Sequence, residues 1–406
     1  MSAVIWPEPA SATPRRPPGA VGLWGCLRER WLGWRDARLS DPGFRERASR
    51  WPGTRWLARR QAAELFDLMA GFVYSQVLHA CVRLRLFDRL AAGPLEASQL
   101  AAAAGMTEEA ALRLLEAAEA LELVRRLEAT GAEPTGDGAP AARYGLGRLG
   151  APLVANAALQ SLVLHHASLY GDLHDPVARL AGGRGGGELA RLWAYATAAA
   201  PGTLPPGEVA PYSAVMSASQ ALIARQVLDA YPLRRHRCLL DVGGGEGAFL
   251  AAALEEAPSL AGMVCDLPAV AERAQARLEA LGFGGRAHAH GIDFKRDALP
   301  RGADVASLVR VLYDHDDGPA LRLLVAVREA LPSGGTVLVA EPLARTRGAE
   351  RMGTAYFGVY LWAMGSGRVR SAAEHIALLR RAGFVQAREL RTALPLQTGL
   401  VVARAP

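Results

Sequence analysis

The run Leu239-Leu240-Asp241-Val242-Gly243-Gly244-Gly245-Glu246-Gly247 joins an apolar stretch, a carboxylate and a glycine turn. Such a turn lets backbone come within contact distance of a ligand, because a Cβ would clash or refuse positive φ. Asp266 follows 25 residues after Asp241, closing the run Met263-Val264-Cys265. In a doubly wound sheet that spacing sets a second carboxylate at the tip of the neighbouring strand, where it can grip a ribose diol. Asp293, Tyr313 and Glu341 fall at or just past the ends of later apolar runs. Any one of them reads equally as a solvated loop residue; together they mark one edge of one sheet. No Lys-Ser/Thr pair follows the glycines, so a phosphate loop is excluded. The spacing Gly-x-Gly-x-Gly also differs from the dinucleotide Gly-x-Gly-x-x-Gly, while a structural glycine turn in another α/β protein stays open on the loop alone.

The elements that must position these residues alternate. Strands are expected near 238–242, 262–266, 286–292, 304–311, 335–341, 384–391 and 396–404, with helices near 246–257, 268–282, 317–331 and 372–382. Alternation at this spacing predicts a doubly wound, mainly parallel α/β sheet with helices on both faces. From Ala58 to Tyr170 the pattern is helical, with Leu65, Leu68, Phe72, Val77, Cys81, Leu84 and Leu86 near helical spacing. A short helix, the turn Gly105-Met106-Thr107, a longer helix from Glu108, and strands at Leu123-Val124-Arg125 and Arg143-Tyr144-Gly145-Leu146 make a winged helix-turn-helix. Thr107 is a suitable N-cap, with Glu108 and Glu109 in the first turn. The would-be recognition helix, Glu108 to Glu122, carries five Glu and one Arg, which repels phosphate and argues against nucleic acid. Its apolar faces are expected to serve a dimer. Residues 181–187 and 201–211 read as connectors, with a helix from Tyr212 to Tyr231. The expected domains are thus an Arg/Trp-rich arm (1–57), a winged-helix dimerisation domain (58–180), a helical linker (181–235) and a catalytic domain (236–406).

At 406 residues, half of them hydrophobic, the chain can bury a substantial core, and no unbroken apolar run reaches the roughly 18 residues of a membrane span. Cys26, Cys81, Cys238 and Cys265 lack metal-ligand spacing, which suits a reducing cytoplasm and no metal. Lys295 is the lone lysine, a matter of codon bias rather than chemistry. Residues 1–60 hold twelve Arg against five acids, and six of the eight Trp. Prolines break this segment, so it is no secretory signal. Trp with Arg suits a membrane headgroup region, whereas packing of the arm on its own protein is the alternative.

Taken together, the region from about 65 to 405 resembles the dimeric S-adenosylmethionine O-methyltransferases that act on small hydroxylated natural products. The residues carrying the likeness are Asp241 to Gly247, Asp266-Leu267-Pro268, Ile292-Asp293-Phe294, Arg310 to Asp317, Gly334-Gly335 and Glu341. The resemblance implies a class I Rossmann-like methyltransferase sheet behind the winged-helix domain, with S-adenosylmethionine as cofactor. It implies that Gly243 lies under the methionine part, that Asp266 holds the ribose, that Asp293 and Phe294 border the adenine, and that Arg310 stands beside the cofactor, with Asp241, Gly245 and Leu267 among the cofactor-binding residues.

The chain departs from that family at its chemical centre. Relatives carry His-Asp-Trp or His-Asn-Trp after the fourth strand, with the His as base. Here that His is Tyr313 and the Trp is His315; Glu341 matches the first of two flanking acids, but the second falls at Val369. Arg310-Val311-Leu312-Tyr313-Asp314-His315-Asp316-Asp317, Ala70 to Val77, Tyr356 to Tyr360 and Met364 to Arg368 resemble the branch that methylates the 1-hydroxyl of acyclic carotenoids. That implies a hydrophobic polyene alcohol as substrate, a place in carotenoid biosynthesis and photosynthesis, and a cytoplasmic enzyme at the periphery of the inner membrane. Tyr313 would orient the hydroxyl and His315 or Asp314 accept its proton, with Glu341 in support; a helix-start histidine without a catalytic part is the plainer reading of His315. If the segment stays extended, Tyr313 and His315 point the same way, and if a helical turn begins there they diverge. The apolar run Tyr356 to Met364, with Leu65 to Val77, is either helix core or lining for a polyene. An aromatic or polyketide hydroxyl as substrate, and a scaffold that binds cofactor without turnover, remain the competing functions.

Overall fold

A computed structural model describes residues 23–127, 142–193, 220, 222–294, 296–395 and 397–406. The start of the arm, the loop between the two winged-helix strands, and the expected connector 201–211 with the beginning of the following helix lie outside these residues. The chain divides into two compact units, Met1–Gln76 and Val77–Pro406.

The first unit holds helices α1 (Leu23–Ser40), α2 (Pro42–Arg50) and most of α3 (Pro52–Arg83). The Asp41 carboxylate caps α2 by accepting from the Gly43 amide at 2.9 Å. Trp24, Leu27, Trp31 and Trp34 recur at intervals of three, four and three residues, so they share one face of α1, and all four are exposed. Arg35 and Arg38 stack over Trp31 and Trp34, 5.6 and 5.7 Å from the ring centroids. The 32-residue helix α3 is long and apolar enough to cross a membrane by length and composition alone. Unbroken runs hide this, since Asp67, Ser75, Gln76 and His79 interrupt it.

In the second unit α4 (Leu86–Ala92), α5 (Ala97–Ala104) and α6 (Glu108–Ala120) pack with a three-stranded antiparallel sheet, order β1 (Leu95–Glu96), β3 (Arg143–Leu146), β2 (Val124–Leu127). This is the expected winged-helix arrangement. The Thr107 hydroxyl caps α6 by accepting from the Ala110 amide, and Leu100, Ala111, Leu115 and Tyr144 form the core. Helices α7 (Ala157–Asp172), α8 (Pro176–Ala181) and α9 (Glu188–Leu192) follow, then α10 at 222–230.

The large sheet runs β6 (Ala287–Gly291), β5 (Ala261–Asp266), β4 (Cys238–Val242), β7 (Val305–Val309), β8 (Thr336–Glu341), β10 (Gly399–Arg404), β9 (Val385–Leu390). β10 is antiparallel to both neighbours, so it alone is reversed, and the mainly parallel expectation holds. β7 and β8 are buried along their whole length, as strands covered on both faces must be. α11 (Ala248–Glu256), α12 (Pro268–Ala280), α13 (Asp317–Ala330), α14 (Phe357–Met364) and α15 (Ala372–Arg381) complete the unit. α11 starts two residues later than expected, because Gly247 at φ +72° is left-handed and cannot open a helix. Strand order reverses between β4 and β7, which puts the ligand crevice at their carboxyl ends.

Candidate active site

Asp241 is fully buried at the end of β4 and accepts from the Ser307 hydroxyl of β7 at 2.6 Å, across the point where the strand order reverses. Burial pushes its carboxyl up to about 7. Its Oδ2 makes no hydrogen bond of normal geometry, and a Cβ on Gly244 would sit 2.3 Å from that oxygen. Gly243, at φ +67°, would press a Cβ to 2.8 Å from Val311. These positions admit only glycine, so the turn is pressed against the carboxylate and the β7 edge.

Asp266 ends β5. Its two oxygens accept from the Gly245 amide and the Leu267 amide, both at 2.8 Å, which fixes the carboxylate against the glycine loop. Burial raises it above the ordinary carboxylate range. Asp293 lies just past β6, with Arg296 4.0 Å from its Oδ2. Phe294 meets the His315 ring edge-on, centroids 5.6 Å apart. Arg310 follows β7 with φ +60°, its amide donating to Ala340 O at 2.9 Å. Asp241, Asp266, Asp293, Tyr313 and Glu341 therefore fall at or just past strand ends along one sheet edge, with Phe294 and Arg310 beside them.

Leu312–Asp314 forms a 3-10 turn, and this settles the direction of the flanking side chains. Tyr313 turns to Phe357, edge-on at 6.2 Å, while His315 turns to Phe294. The two diverge. Tyr313, Asp314 and His315 are all buried. Glu341, at the end of β8, is fully buried, and its Oε1 accepts from the Val311 and Leu312 amides at 2.9 and 2.7 Å. Glu341 thus holds the turn that carries Tyr313, and burial together with Asp314 raises it to about 8. Val369, where the resemblance leads one to expect a second acid, packs in the apolar cluster around Tyr313.

Several residues escape the sequence reading. Arg370 is fully buried; it donates to Leu312 O and His315 O, each at 2.8 Å, and grips Asp317, so it latches both ends of the turn. The only signal for it is an arginine inside a run that otherwise joins a glycine loop to a helix. On α7, His165 Nε2 lies 2.7 Å from the Tyr360 hydroxyl and His166 Nε2 lies 2.7 Å from the Tyr356 hydroxyl. Burial drives the His165 imidazole down to about 4 and lowers His166 as well.

Residues 185–385 match the O-methyltransferase domain family, and residues 66–156 the O-methyltransferase dimerisation domain. The chain is 43% identical to the demethylspheroidene O-methyltransferase of Cereibacter sphaeroides, over 96% of this chain and 98% of that one. The chain belongs to the S-adenosylmethionine-dependent O-methyltransferases. A second relative, the demethylspheroidene O-methyltransferase of Rhodobacter capsulatus, is 37% identical over 86% of this chain and 83% of its own length. Among solved structures, mitomycin 7-O-methyltransferase superposes with a TM-score of 0.69 at 25% identity, covering 86% of this chain and all of that one.

The strand-end geometry fits the methyl donor of this family of enzymes. The glycine turn leaves the loop open above Gly245, where a Cβ would meet nothing within 4 Å. Asp266 presents a carboxylate beside it, and the unbonded Asp241 Oδ2 beneath the turn is an oxygen that a cationic amine would satisfy. The matched dimerisation domain supports a homodimer.

Proposed function

We infer that this enzyme methylates the tertiary 1-hydroxyl of an acyclic hydroxycarotenoid, a step of carotenoid biosynthesis. The observation that carries the reading is the 43% identity to demethylspheroidene O-methyltransferase along nearly the whole of both chains. When bound, S-adenosylmethionine supplies an electrophilic methyl on a sulfonium. Asp266 and Leu267 hold its ribose, Asp293 and Phe294 border the adenine, and Gly243, Gly245 and Asp241 underlie the methionine part, with Arg310 alongside.

The replaced histidine supports an aliphatic alcohol over a phenol. A phenol, with a pKa of about 10, can be relieved of its proton by a base before attack. A tertiary alcohol is far weaker and must lose its proton while the new C–O bond forms, so positioning in a dry site does most of the work. Tyr313 orients the hydroxyl from the turn that Glu341 and Arg370 hold in place. Asp314 and His315 stand on the same turn as candidate proton acceptors, although His315 leans on Phe294 and belongs with the adenine wall.

The Trp face of α1, flanked by Arg28, Arg30, Arg35 and Arg38, supports peripheral docking on an anionic membrane, where such a substrate resides. The decisive assay incubates the enzyme with methyl-labelled S-adenosylmethionine and a 1-hydroxy carotenoid. A labelled methyl ether is expected. Turnover of a phenolic panel without the carotenol would overturn the substrate, and cofactor binding without any turnover would leave a scaffold.

A further inference from the structure

We propose that Tyr356 and His166 form the proton exit of this methyl transfer, Tyr356 taking the substrate proton and passing its own to His166. The proposal rests on the alcohol-methylation reading above and places the proton acceptor at Tyr356 and His166 instead of at Asp314 or His315.

The hydrogen bonds fix the direction of transfer. His166 Nδ1 is 2.6 Å from Leu162 O, and a carbonyl oxygen can only accept, so Nδ1 carries the ring hydrogen. Nε2 is then the basic nitrogen. It lies 2.7 Å from the Tyr356 hydroxyl, which must donate to it. With its hydrogen committed to the imidazole, the Tyr356 oxygen faces a ligand with lone pairs only. It can accept from an alcohol and cannot donate to one.

The location is right as well. Tyr356 closes a π-helical turn, Arg351–Tyr356, ahead of α14; such turns favour functional positions. Its ring is 4.9 Å from Phe357, which in turn meets Tyr313. Arg310, beside the cofactor loop, acts electrostatically on the Tyr356 phenol. The pair therefore adjoins the strand edge where the methyl is delivered, and Tyr356 is only partly buried. The matching pair does not qualify: Tyr360, bonded to His165, is buried against Trp193.

Atoms and charge balance. As the alcohol oxygen gains the methyl and the S–CH3 bond breaks, the O–H proton moves to the Tyr356 oxygen. The tyrosine's own proton moves to His166 Nε2, leaving imidazolium, a methyl ether and a neutral thioether. One positive charge is present before and after, so an apolar site gains no net charge. Burial keeps the resting imidazole neutral and ready to accept.

The test uses the full-length enzyme. Tyr356→Phe and His166→Gln should each lower kcat on the carotenol about 100-fold, the usual worth of a positioned proton acceptor. KM and the dissociation constant for S-adenosylmethionine should move less than threefold. The side-chain amide of the His166→Gln variant can still receive the tyrosine hydrogen bond but cannot take its proton, so a purely structural role would leave kcat near the native value. Tyr360→Phe, losing a comparable bond at the buried pair, should stay within threefold. kcat within threefold of native in both Tyr356→Phe and His166→Gln would overturn the proposal. If the native enzyme ignores the carotenol, the substrate reading fails, and nitrogen NMR of labelled histidine decides the relay by itself. A neutral Nδ1–H tautomer at His166 that shifts in Tyr356→Phe supports it; an Nε2–H tautomer or a resting imidazolium overturns it.

Discussion

Asp266 makes two backbone hydrogen bonds, one of them to the Gly245 amide of the glycine loop. Hydrogen bonds to a charged group are worth about 1.5–3 kcal/mol. Asp266→Asn should therefore weaken S-adenosylmethionine binding at least about tenfold by calorimetry, and unchanged affinity would remove this residue from the ribose site. Glu341 gives a pH prediction. Its folded carboxyl titrates near 8 and its unfolded one near 4.5, so the native state holds a proton that the unfolded chain has lost between those values. Stability from this group is complete below about 4.5 and disappears as pH rises through about 8. Glu341→Gln, always neutral, should flatten the fall of Tm between about pH 5 and 8; parallel native and variant profiles would refute this. The strand-end places of Asp241, Asp266, Asp293 and the glycine loop were legible in the sequence because carboxylates and glycines at strand ends announce themselves through local spacing. Glu341 was legible as a position, but its attachment to the Val311 and Leu312 amides depends on two strands being neighbours.

Helix α1 presents Trp24, Leu27, Trp31 and Trp34 on one exposed face among arginines. Deleting residues 1–51, which ends the cut before Pro52 opens α3, should abolish co-sedimentation with anionic liposomes while leaving neutral ones unaffected. Equal sedimentation of the deleted and intact chains would show that the arm does not dock. Charge and Trp enrichment in the arm were visible from composition, whereas the common face needed the helix. The 3-10 turn at Leu312–Asp314 teaches the same lesson, since the sequence leaves Tyr313 and His315 either parallel or divergent. The role of Arg370 was not legible: its carbonyl partners on the turn become neighbours only in the folded chain, and an arginine between a glycine loop and a helix reads as a surface residue.

At the level of the whole molecule, α3 exposes Leu65, Phe66, Leu68, Met69, Phe72 and Val73. A run of this kind left in water is unfavourable at about 25 cal/mol per Å2 of apolar surface, and a second copy is the natural cover for a chain carrying a dimerisation domain. Leu68→Glu combined with Phe72→Glu should convert a dimer into a monomer in size-exclusion light scattering; a persisting dimer would put the interface elsewhere. Periodicity gave the seven strands of the large sheet to within a few residues. Their order, and the single reversed strand β10, come from connections that periodicity does not encode. The two His–Tyr pairs join residues 190 and 195 positions apart, far outside any local motif.

The π-helical turn has one further consequence. Tyr356 and Tyr360 are four residues apart, yet they meet two histidines that are adjacent in sequence. Tyr356 ends the π turn Arg351–Tyr356 and Tyr360 lies one turn on in α14, so the turn sets the phase between this pair and the segment before it. Removing a single residue, such as Thr354, would rewind the segment as an ordinary helix and rotate what precedes it by about 100°. Both tyrosines would survive in the chain, while the segment leading into them would be out of phase with the rest of the fold. The excess residue acts as a phase adjuster, and its loss should appear as an enzyme that still folds and holds its cofactor but turns over slowly.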